Sequence, residues 1–479
     1  MQKSSQAFNG IAVQSTVTIL LSVIELTYFS LMSRLLTQSV FGELAIIMAV
    51  VAIMQSLSDA GLGSALIQSQ ETEKSFKSTA LSLSLVLGIF FTILLFCTSS
   101  LFSRLLVKSD LLTQAFQLIS FTFLLQAFYN IYRSQLIKEL KFKVCGLISV
   151  GAALISCSVG VYLAYLGYGV YSILIATITN QVLLMIMFYI YKSEHVGLKV
   201  ERKFIKSIMS YGGWLTGAVL VRSFTNQVDK MIIARWLPLS DLGALNRPSG
   251  FITKITGTIN GIFDTVLFPI LSSIQNDLQK AKEAYLKLSN LILLLSSWMT
   301  IGFIVSTNII ILIFFGDQWL YLKPIFIVIT ISVLFLGYSQ IGDCFFRSLG
   351  IVKSYFLLRV AVFAVTMISV YIGCQSGILA VTIGITLSRI FDAVIKFFIL
   401  KKKLELSSKE IFTSFGSTIF PSAIVFAVAI GASLINEYIS LSIIIISFIY
   451  MGFFKPSLLG RDYRLTVYPH LVERFKKNR

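Results

Sequence analysis

Residues 209–273 decide the fold of this chain, and they read MSYGGWLTGAVLVRSFTNQVDKMIIARWLPLSDLGALNRPSGFITKITGTINGIFDTVLFPILSS. The stretch is apolar enough to cross a membrane twice, with a break near Pro238. It nevertheless carries charged residues within both crossings, at Arg222, Asp229, Lys230, Arg247, Lys254 and Asp264. Because a charge at the centre of a membrane helix costs about 2.5–3.5 kcal/mol, we expect these side chains to face a wet cavity or each other.

The spacing places these charges on single helical faces. The first helix has one polar face, with spacing i, i+4, i+7 and i+8, formed by Arg222, Asn226, Asp229 and Lys230. The second helix carries a stripe of basic and small residues, namely Arg247, Gly250, Lys254, Gly257, Gly261 and Asp264. Two interpretations stay open at this point. The charges form internal ion pairs and the glycines only pack helices, or the faces line a polar translocation cavity with a positive bias.

Composition identifies the class of protein. The chain has 479 residues, of which 56% are hydrophobic and 13% are charged, and this balance indicates a polytopic membrane protein. The net charge of +18 comes from basic loops between apolar segments, so it does not indicate nucleic-acid binding. Five scattered cysteines and two histidines predict no metal site. The absence of a Walker A, GxGxxG or Ser-His-Asp motif predicts a protein that is not an enzyme and has no cofactor.

Windows of about 20 apolar residues predict fourteen membrane-spanning helices. Their approximate limits are 11–33, 41–66, 78–99, 115–136, 146–166, 170–191, 209–234, 243–271, 286–313, 324–346, 355–373, 377–400, 413–433 and 439–454. The even-numbered loops and the two tails, counted with Arg133 and Lys287 at the adjoining helix ends, carry 28 Lys and Arg residues, whereas the odd-numbered loops carry 5. Because cytoplasmic loops are enriched in basic residues, both termini are predicted to be cytoplasmic.

The chain also contains a parallel internal repeat. The segment RLLTQSVFGEL at 34–44 matches RWLPLSDLGAL at 235–245, and Tyr132-Arg133-Ser134 matches Phe346-Arg347-Ser348. Gly169 opens the sixth span as Gly377 opens the twelfth. Two six-helix lobes related by a pseudo-two-fold axis normal to the membrane would place the substrate path between them. The predicted organisation is an N-lobe at 1–205, a C-lobe at 206–400, and two extra helices with a basic tail at 401–479.

Other polar residues lie inside predicted spans. Gln55 and Asp59 share a face of the second span, and Glu25 lies on a polar face of the first. Lone acids in membrane helices either pair with basic residues or bind a proton or cation, so Asp59, Glu25 and Asp264 are the candidate coupling acids, in that order. Gln340, Asp343 and Arg347 line one face of the tenth span. For Arg389, Asp392 and Lys396, which line one face of the twelfth, a local ion-paired or snorkelled cluster is favoured over a substrate site.

Five blocks in this order resemble the polysaccharide transporter (Wzx-type) branch of the MOP superfamily of flippases and exporters. They are SRLLTQSVFGELA at 33–45, SDAGLGSALIQ at 58–68, YRSQLIKELKFK at 132–143, ALNRPSGF at 244–251 and LFPILSSIQND at 267–277. The resemblance implies an inner-membrane protein that flips undecaprenyl-pyrophosphate-linked oligosaccharide units for O-antigen, capsule or exopolysaccharide synthesis. It also implies a cationic central cavity and a driving proton or sodium gradient. Asn246 departs from the family pattern but leaves the adjacent Arg247 in place.

These expectations lead to an assignment of residues. Arg222 and Arg247 are predicted to bind the pyrophosphate and Lys254 to assist its transfer, because guanidinium groups grip phosphate oxygens with two hydrogen bonds. Four further residues are predicted to line the cavity as polar groups: Asn226, Asp229, Lys230 and Gln55. The predicted partners are the lipid-linked oligosaccharide, membrane lipids, the ion gradient, and polymerase and chain-length machinery.

Two other functions compete with this one. A cation-coupled drug or organic-ion antiporter of the same superfamily would favour an acidic cavity, whereas the seventh and eighth spans hold four basic residues against two acidic ones. A membrane glycosyltransferase or polymerase would need an acid or base on an extended extracytoplasmic loop. The odd-numbered loops are short and nearly uncharged, which disfavours that reading.

Overall fold

The computed structural model of the chain describes residues 2–59, 66, 74–107, 109–139, 141–191, 197, 198, 200, 201, 223–273, 277–433, 440, 442, 443 and 446. Within these ranges, side chains are described except at 2–15, 74, 258–270, 272, 273, 352, 413, 414, 417–421 and 433. The described backbone forms helices joined by short turns, without a β-strand in any of these ranges. The predicted all-α fold is therefore confirmed.

The chain divides into two compact units, Met1–Asn246 and Arg247–Arg479. The described helices of unit 1 are α1 (Gln2–Leu35), α2 (Gln38–Asp59), α3 (Lys74–Leu106), α4 (Asp110–Lys138), α5 (Phe142–Tyr165), α6 (Val170–Tyr191), α7 (223–236) and the first two turns of α8 (Leu239–Ser273). Unit 2 contains the rest of α8, then α9 (Leu278–Val305), α10 (Thr307–Phe314), a 3-10 helix (Asp317–Leu322), α11 (Lys323–Ser348), α12 (Val352–Cys374), α13 (Ile378–Lys403) and α14 (Ser408–Ser433). The predicted lobe boundary at 205/206 lies outside the described residues.

Ten of the described helices are long and apolar enough to cross a membrane. They are α1 to α6, α9, α11 together with the 3-10 helix, α12 and α13. The chain is thus a multi-pass membrane protein, as composition predicts. The total of fourteen spans stays a prediction, because much of the seventh and most of the last predicted span lie outside the described residues.

The predicted span 286–313 is wrong in one respect, because the helix is interrupted at Ser306 between α9 and α10. The hydroxyl of Thr307 donates to the carbonyl oxygens of Phe303 and Ile304, at 2.8 and 2.7 Å. Both sides of the break are apolar, and a hydropathy window registers composition and not backbone hydrogen bonds, so it joined two helices into one.

The repeated motifs adopt the same local structure in both units. Tyr132 and Phe346 are buried, the arginines that follow them are exposed, and Ser134 and Ser348 are buried again. Gly169 and Gly377 both precede a helix with positive φ, at 54° and 96°, a conformation that glycine adopts without strain. The internal repeat predicted from sequence therefore recurs in backbone conformation and in burial.

The N-terminal turns of α2 and α8 meet in a contact that we call the glycine crossing, formed by Gln38, Gly42, Leu239 and Gly243. A Cβ atom at Gly42 would lie 1.9 Å from the carbonyl oxygen of Leu239, and one at Gly243 would lie 1.9 Å from that of Gln38. Residues 38 and 239 are equivalent in the repeat, as are 42 and 243, so the contact is reciprocal. Only glycine allows two backbones to approach this closely.

The core of unit 2 is built by α9, α11, α12 and α13. Tyr285, Phe345 and Phe346 are almost fully buried there. A second aromatic group centres on Phe251 of α8, whose ring lies 5.0–6.2 Å from those of Phe303, Phe314, Phe315 and Phe326. Through Phe251, the part of α8 that begins unit 2 packs against α9, α10 and α11.

Helix α14 is anchored to α9 at its start. Lys282 pairs with Glu410 at 2.8 Å, and Ser407 and Glu410 exchange hydrogen bonds between side chain and backbone, which forms a capping box. The hydrogen bond from Lys282 and those from Ser407 hold the pKa of Glu410 below its usual range. A lowered carboxyl pKa means that the pair is intact at neutral pH and is lost only as the pH falls through that pKa.

Candidate functional site

A polar ladder joins α2 and α4 in unit 1. Gln55 donates a side-chain hydrogen bond to Gln126, and one turn further along, Asn130 donates to Asp59 at 3.4 Å. Both pairs are 71 residues apart, so the two helices run in the same direction in register. Parallel second and fourth helices are what an alternating membrane topology requires. The predicted polar face with Gln55 and Asp59 therefore meets a partner face, and Asp59 lies at its exposed end.

Helix α7 carries the predicted polar residues that follow Arg222. Asn226 is exposed, whereas Asp229 and Lys230 are half-buried. The ammonium of Lys230 donates to the side chain of Gln227 at 2.7 Å, and its backbone amide donates to the Asp229 carboxylate at 2.9 Å. Ser223 contacts Ser56 of α2 through their hydroxyl groups. The structure therefore connects α7 to the helix that bears Gln55, through a serine pair that sequence reasoning missed.

Helix α8 carries the basic stripe. Arg247 is buried and Lys254 is exposed, two turns apart on the helix. No described atom lies within 4 Å of a Cβ built at Gly250 or Gly257. Among the described residues, these two glycines therefore have no close helix neighbour that would explain them by packing. Arg222 lies outside the described residues, and so does the side chain of Asp264.

The remaining predicted coupling acid, Glu25, is exposed on α1. It shares its helix with Ser22, whose hydroxyl donates to the carbonyl oxygen of Thr18 at 2.8 Å. The Ser22 hydroxyl, which belongs to the predicted polar face of α1, is therefore hydrogen-bonded to the backbone of its own helix. Asp59 is the predicted acid whose partner on another helix, Asn130, identifies a polar contact between helices.

Among the residues that the structure describes, the largest concentration of buried charge lies in unit 2, where α11, α12 and α13 meet. We call it the charge cluster, and it consists of Ser339, Asp343, Arg359, Asp392 and Lys396. The Lys396 ammonium has no solvent-exposed surface and lies 2.7 Å from both Asp392 Oδ2 and Asp343 Oδ1. Arg359 forms an ion pair with Asp343 and lies 3.8 Å from Asp392. Two acids and two bases make the cluster neutral.

The sequence anticipated only part of this cluster. The local pair of Asp392 and Lys396, four residues apart on one helix, is confirmed. Asp343 was singled out on its own helix, but Arg359 was missed. It is one arginine in an otherwise apolar span, and such a residue signals a buried acid nearby, although it does not identify which one.

A glycine shapes the surroundings of Lys396. A Cβ atom at Gly342 would lie 2.9 Å from Cδ of Lys396 and 3.4 Å from its Cβ. Helix α11 therefore passes directly over the aliphatic part of Lys396 and seals it from solvent. Two turns before Lys396 on the same side of α13, Arg389 donates to the Ser332 hydroxyl of α11 at 2.6 Å, and this contact lies outside the cluster.

Ten described apolar helices of membrane length, with a polar ladder and a neutral cluster of buried charges between them, define a polytopic membrane protein. A family model described as polysaccharide biosynthesis protein matches residues 31–324. The chain belongs to this family. The match begins in α1 and ends in α11, so it covers the ladder, α7 and the whole basic stripe.

The comparisons with individual proteins agree with this family. The lipopolysaccharide biosynthesis protein WzxC of Escherichia coli (strain K12) is 22% identical over 411 residues, which are 85% of this chain and 83% of that protein. The lipid II flippase MurJ in an inward closed conformation superimposes with a TM-score of 0.71 at 18% identity, over 92% of this chain and 99% of that one. An inward-facing multidrug resistance MATE transporter of the MOP superfamily gives 0.62 at 15% identity, over 82% and 98%. The chain thus has the MOP fold, and the resemblance found in its motifs is confirmed.

Proposed function

We propose that this protein is a flippase that moves lipid-linked oligosaccharide repeat units across the cytoplasmic membrane by alternating access. The units are undecaprenyl-pyrophosphate-linked and serve the synthesis of O-antigen, capsule or exopolysaccharide. The observation that carries the proposal is the family match at 31–324, which includes the basic stripe of α8. The name of the relative WzxC supports the same class of cargo.

The basic stripe gives the proposal a chemical basis. A pyrophosphate is multiply charged, and its transfer through an apolar layer is costly without cations that replace its hydration. Arg247 is buried, whereas Lys254 is exposed and shares its stripe with Gly250 and Gly257, beside which no atom of the described residues packs within 4 Å. A firmly held guanidinium next to a movable ammonium suits binding followed by release. We assign the pyrophosphate to Arg222, Arg247 and Lys254, with Asn226, Asp229, Lys230 and Gln55 as polar groups along the path.

The test of this function is the loss of export on removal of the stripe. Arg222→Ala and Arg247→Ala should each abolish surface polysaccharide and leave the lipid-linked repeat unit on the cytoplasmic side. Arg247→Lys should restore export only partly, because the planar fork of the guanidinium is lost. The measurement is surface polysaccharide and lipid-linked intermediate in a deletion strain that expresses each variant at wild-type level.

Arg235→Ala is the matched control, because Arg235 is an exposed arginine at the end of α7 and does not belong to the stripe, and this variant should export normally. Normal export by both Arg222→Ala and Arg247→Ala would contradict the proposal. Resistance to organic cations conferred by the wild-type protein, without any effect on polysaccharide, would instead favour the antiporter function that the MATE likeness leaves as the second candidate.

The proposed flippase draws on a proton or sodium gradient through a membrane-embedded acid. Asp59 is the first candidate because it ends the ladder between α2 and α4 and is exposed there. The Asp59→Asn variant should still bind the lipid-linked substrate. In proteoliposomes, however, an imposed ion gradient should no longer stimulate its flipping activity. Asp110→Asn, at the exposed start of α4, is the control that should keep it. If Asp59→Asn, Glu25→Gln and Asp264→Asn all respond to the gradient as the wild type does, the acids are structural.

The proposed orientation places both termini in the cytoplasm. The proposed partners, the polymerase and the chain-length machinery, act on the extracytoplasmic side of the membrane. It rests on the distribution of Lys and Arg between loops. Alkaline phosphatase fused at Gly167 or Gln375 should be active, because both residues end a helix on the extracytoplasmic side in this orientation. Fusions at Lys203 or Lys402 should be inactive. The reverse pattern of activity would overturn the orientation.

A further inference from the structure

The charge cluster has the geometry of a cation site whose occupant is a side chain. Around Lys396 Nζ lie the Ser339 hydroxyl at 2.6 Å, Asp392 Oδ2 at 2.7 Å, Asp343 Oδ1 at 2.7 Å and the Ser339 carbonyl oxygen at 3.3 Å. The ammonium donates hydrogen bonds to both Ser339 oxygens and to Asp392 Oδ2, which match its three N–H groups, and its contact with Asp343 Oδ1 is an ion pair. Two carboxylates, a hydroxyl and a carbonyl are also the hard oxygen ligands that bind alkali and alkaline-earth cations in proteins.

The charge balance shows why a cation is needed at this point. Asp343 and Asp392 are 8% and 6% exposed, and Lys396 has no exposed surface. With Arg359 the four groups are neutral, so removal of the ammonium would leave one buried negative charge. An uncompensated charge in such surroundings is strongly unfavourable, and it must then be met by a mobile cation or a proton.

The cluster also contains buried polar atoms that form no hydrogen bond to the described residues. Asp392 Oδ1 and Arg359 Nε are buried without a hydrogen-bond partner among the described residues. One face of the Asp392 carboxylate is therefore available for a further donor or cation once the lysine side chain is absent. The aliphatic part of Lys396 lies against Gly342, so truncation at residue 396 would open space directly beside these oxygens.

We propose that Ser339, Asp343 and Asp392 form a cation-binding cage of oxygen atoms in unit 2, which the ammonium group of Lys396 occupies in the native protein. When this ammonium is removed by mutation, the cage binds a monovalent metal cation instead. In the native protein the cage is satisfied internally. It therefore takes no sodium from solution, and a sodium gradient does not act through it. Cation binding at this cage does not depend on which substrate the protein transports, so the experiment below tests it separately from the proposed flippase function.

The experiment compares purified full-length variants in detergent, with Tm measured in NaCl, KCl and choline chloride at one ionic strength. Lys396→Ala should have a lower Tm than wild type in choline, and its Tm should rise with Na⁺ or K⁺ concentration because the bound cation stabilises the folded state. Asp392→Asn combined with Lys396→Ala restores neutrality, and its Tm should not respond to either metal cation. Arg389→Ala removes a cation of the same helix outside the cage, and it should show no gained response.

Three results would overturn the proposal. The first is a Lys396→Ala protein whose Tm rises only as the pH is lowered, with no response to Na⁺ or K⁺, since a proton would then meet the vacated charge. The second is a Lys396→Ala protein that does not fold in any of the salts while the double variant folds. The third is a wild-type response to Na⁺ that Asp392→Asn abolishes, because the cage would then bind a mobile cation beside the lysine.

Discussion

Replacement of Asp343 by alanine is expected to destabilise unit 2 by about 3–5 kcal/mol, because it leaves two buried cations with one acid. Asp343 contacts both Arg359 and Lys396, which come from different helices. The Lys396 side chain has no solvent-exposed surface, and its aliphatic part packs against Gly342. The expected result is a large fall in Tm of the purified protein and a loss of export in cells.

A charge-balanced variant separates the charge from the packing. Asp343→Asn combined with Lys396→Met removes one acid and one base, and it should retain much more of the stability than Asp343→Ala, since a buried pair replaced by neutral groups of similar size is often tolerated. Glu283→Ala removes an exposed acid of α9 and should barely change the Tm. Equal Tm values for Asp343→Ala and Glu283→Ala would show that the cluster does not hold α11, α12 and α13 together.

Substitution of alanine at either glycine of the glycine crossing should disrupt the protein, and the two substitutions should act alike. Each added methyl carbon would lie 1.9 Å from a backbone carbonyl oxygen, which no side-chain movement relieves. Overpacking typically costs about 1–3 kcal/mol, and backbone against backbone is the least adaptable case. We expect Gly42→Ala and Gly243→Ala both to lower Tm and to abolish export, because α2 and α8 can no longer meet at their first turns.

The control for the crossing is Gly302→Ala on α9, where no described atom lies within 4 Å of the added Cβ. Helix propensity alone favours alanine over glycine by about 1 kcal/mol, so Gly302→Ala should be neutral or stabilising. The opposite sign at Gly42 and Gly243 would then report the crossing itself. Normal Tm and export for Gly42→Ala and Gly243→Ala would mean that these two backbones are not in contact in the membrane.

Several properties of this protein follow from its sequence alone, because they are local or periodic. Apolar windows of membrane length predict the multi-pass helical fold, and the ten qualifying helices confirm it. The spacing of Asp392 and Lys396 on one helix predicts their ion pair. The repeated RLLTQSVFGEL and RWLPLSDLGAL segments predict two equivalent helix starts. The same blocks led to the family that the comparisons show.

Only the tertiary structure decided which helices meet and at what depth. Lipid is as apolar as a leucine side chain, so hydropathy does not set the rotation of one membrane helix against another. That rotation brings Arg359 to Asp343, and it places Gly42 and Gly243 against each other's helix in a reciprocal contact. It also seals Lys396 among three oxygen-bearing residues. The sequence supplied the charges and the glycines, and the packing of helices far apart in the chain determined their partners.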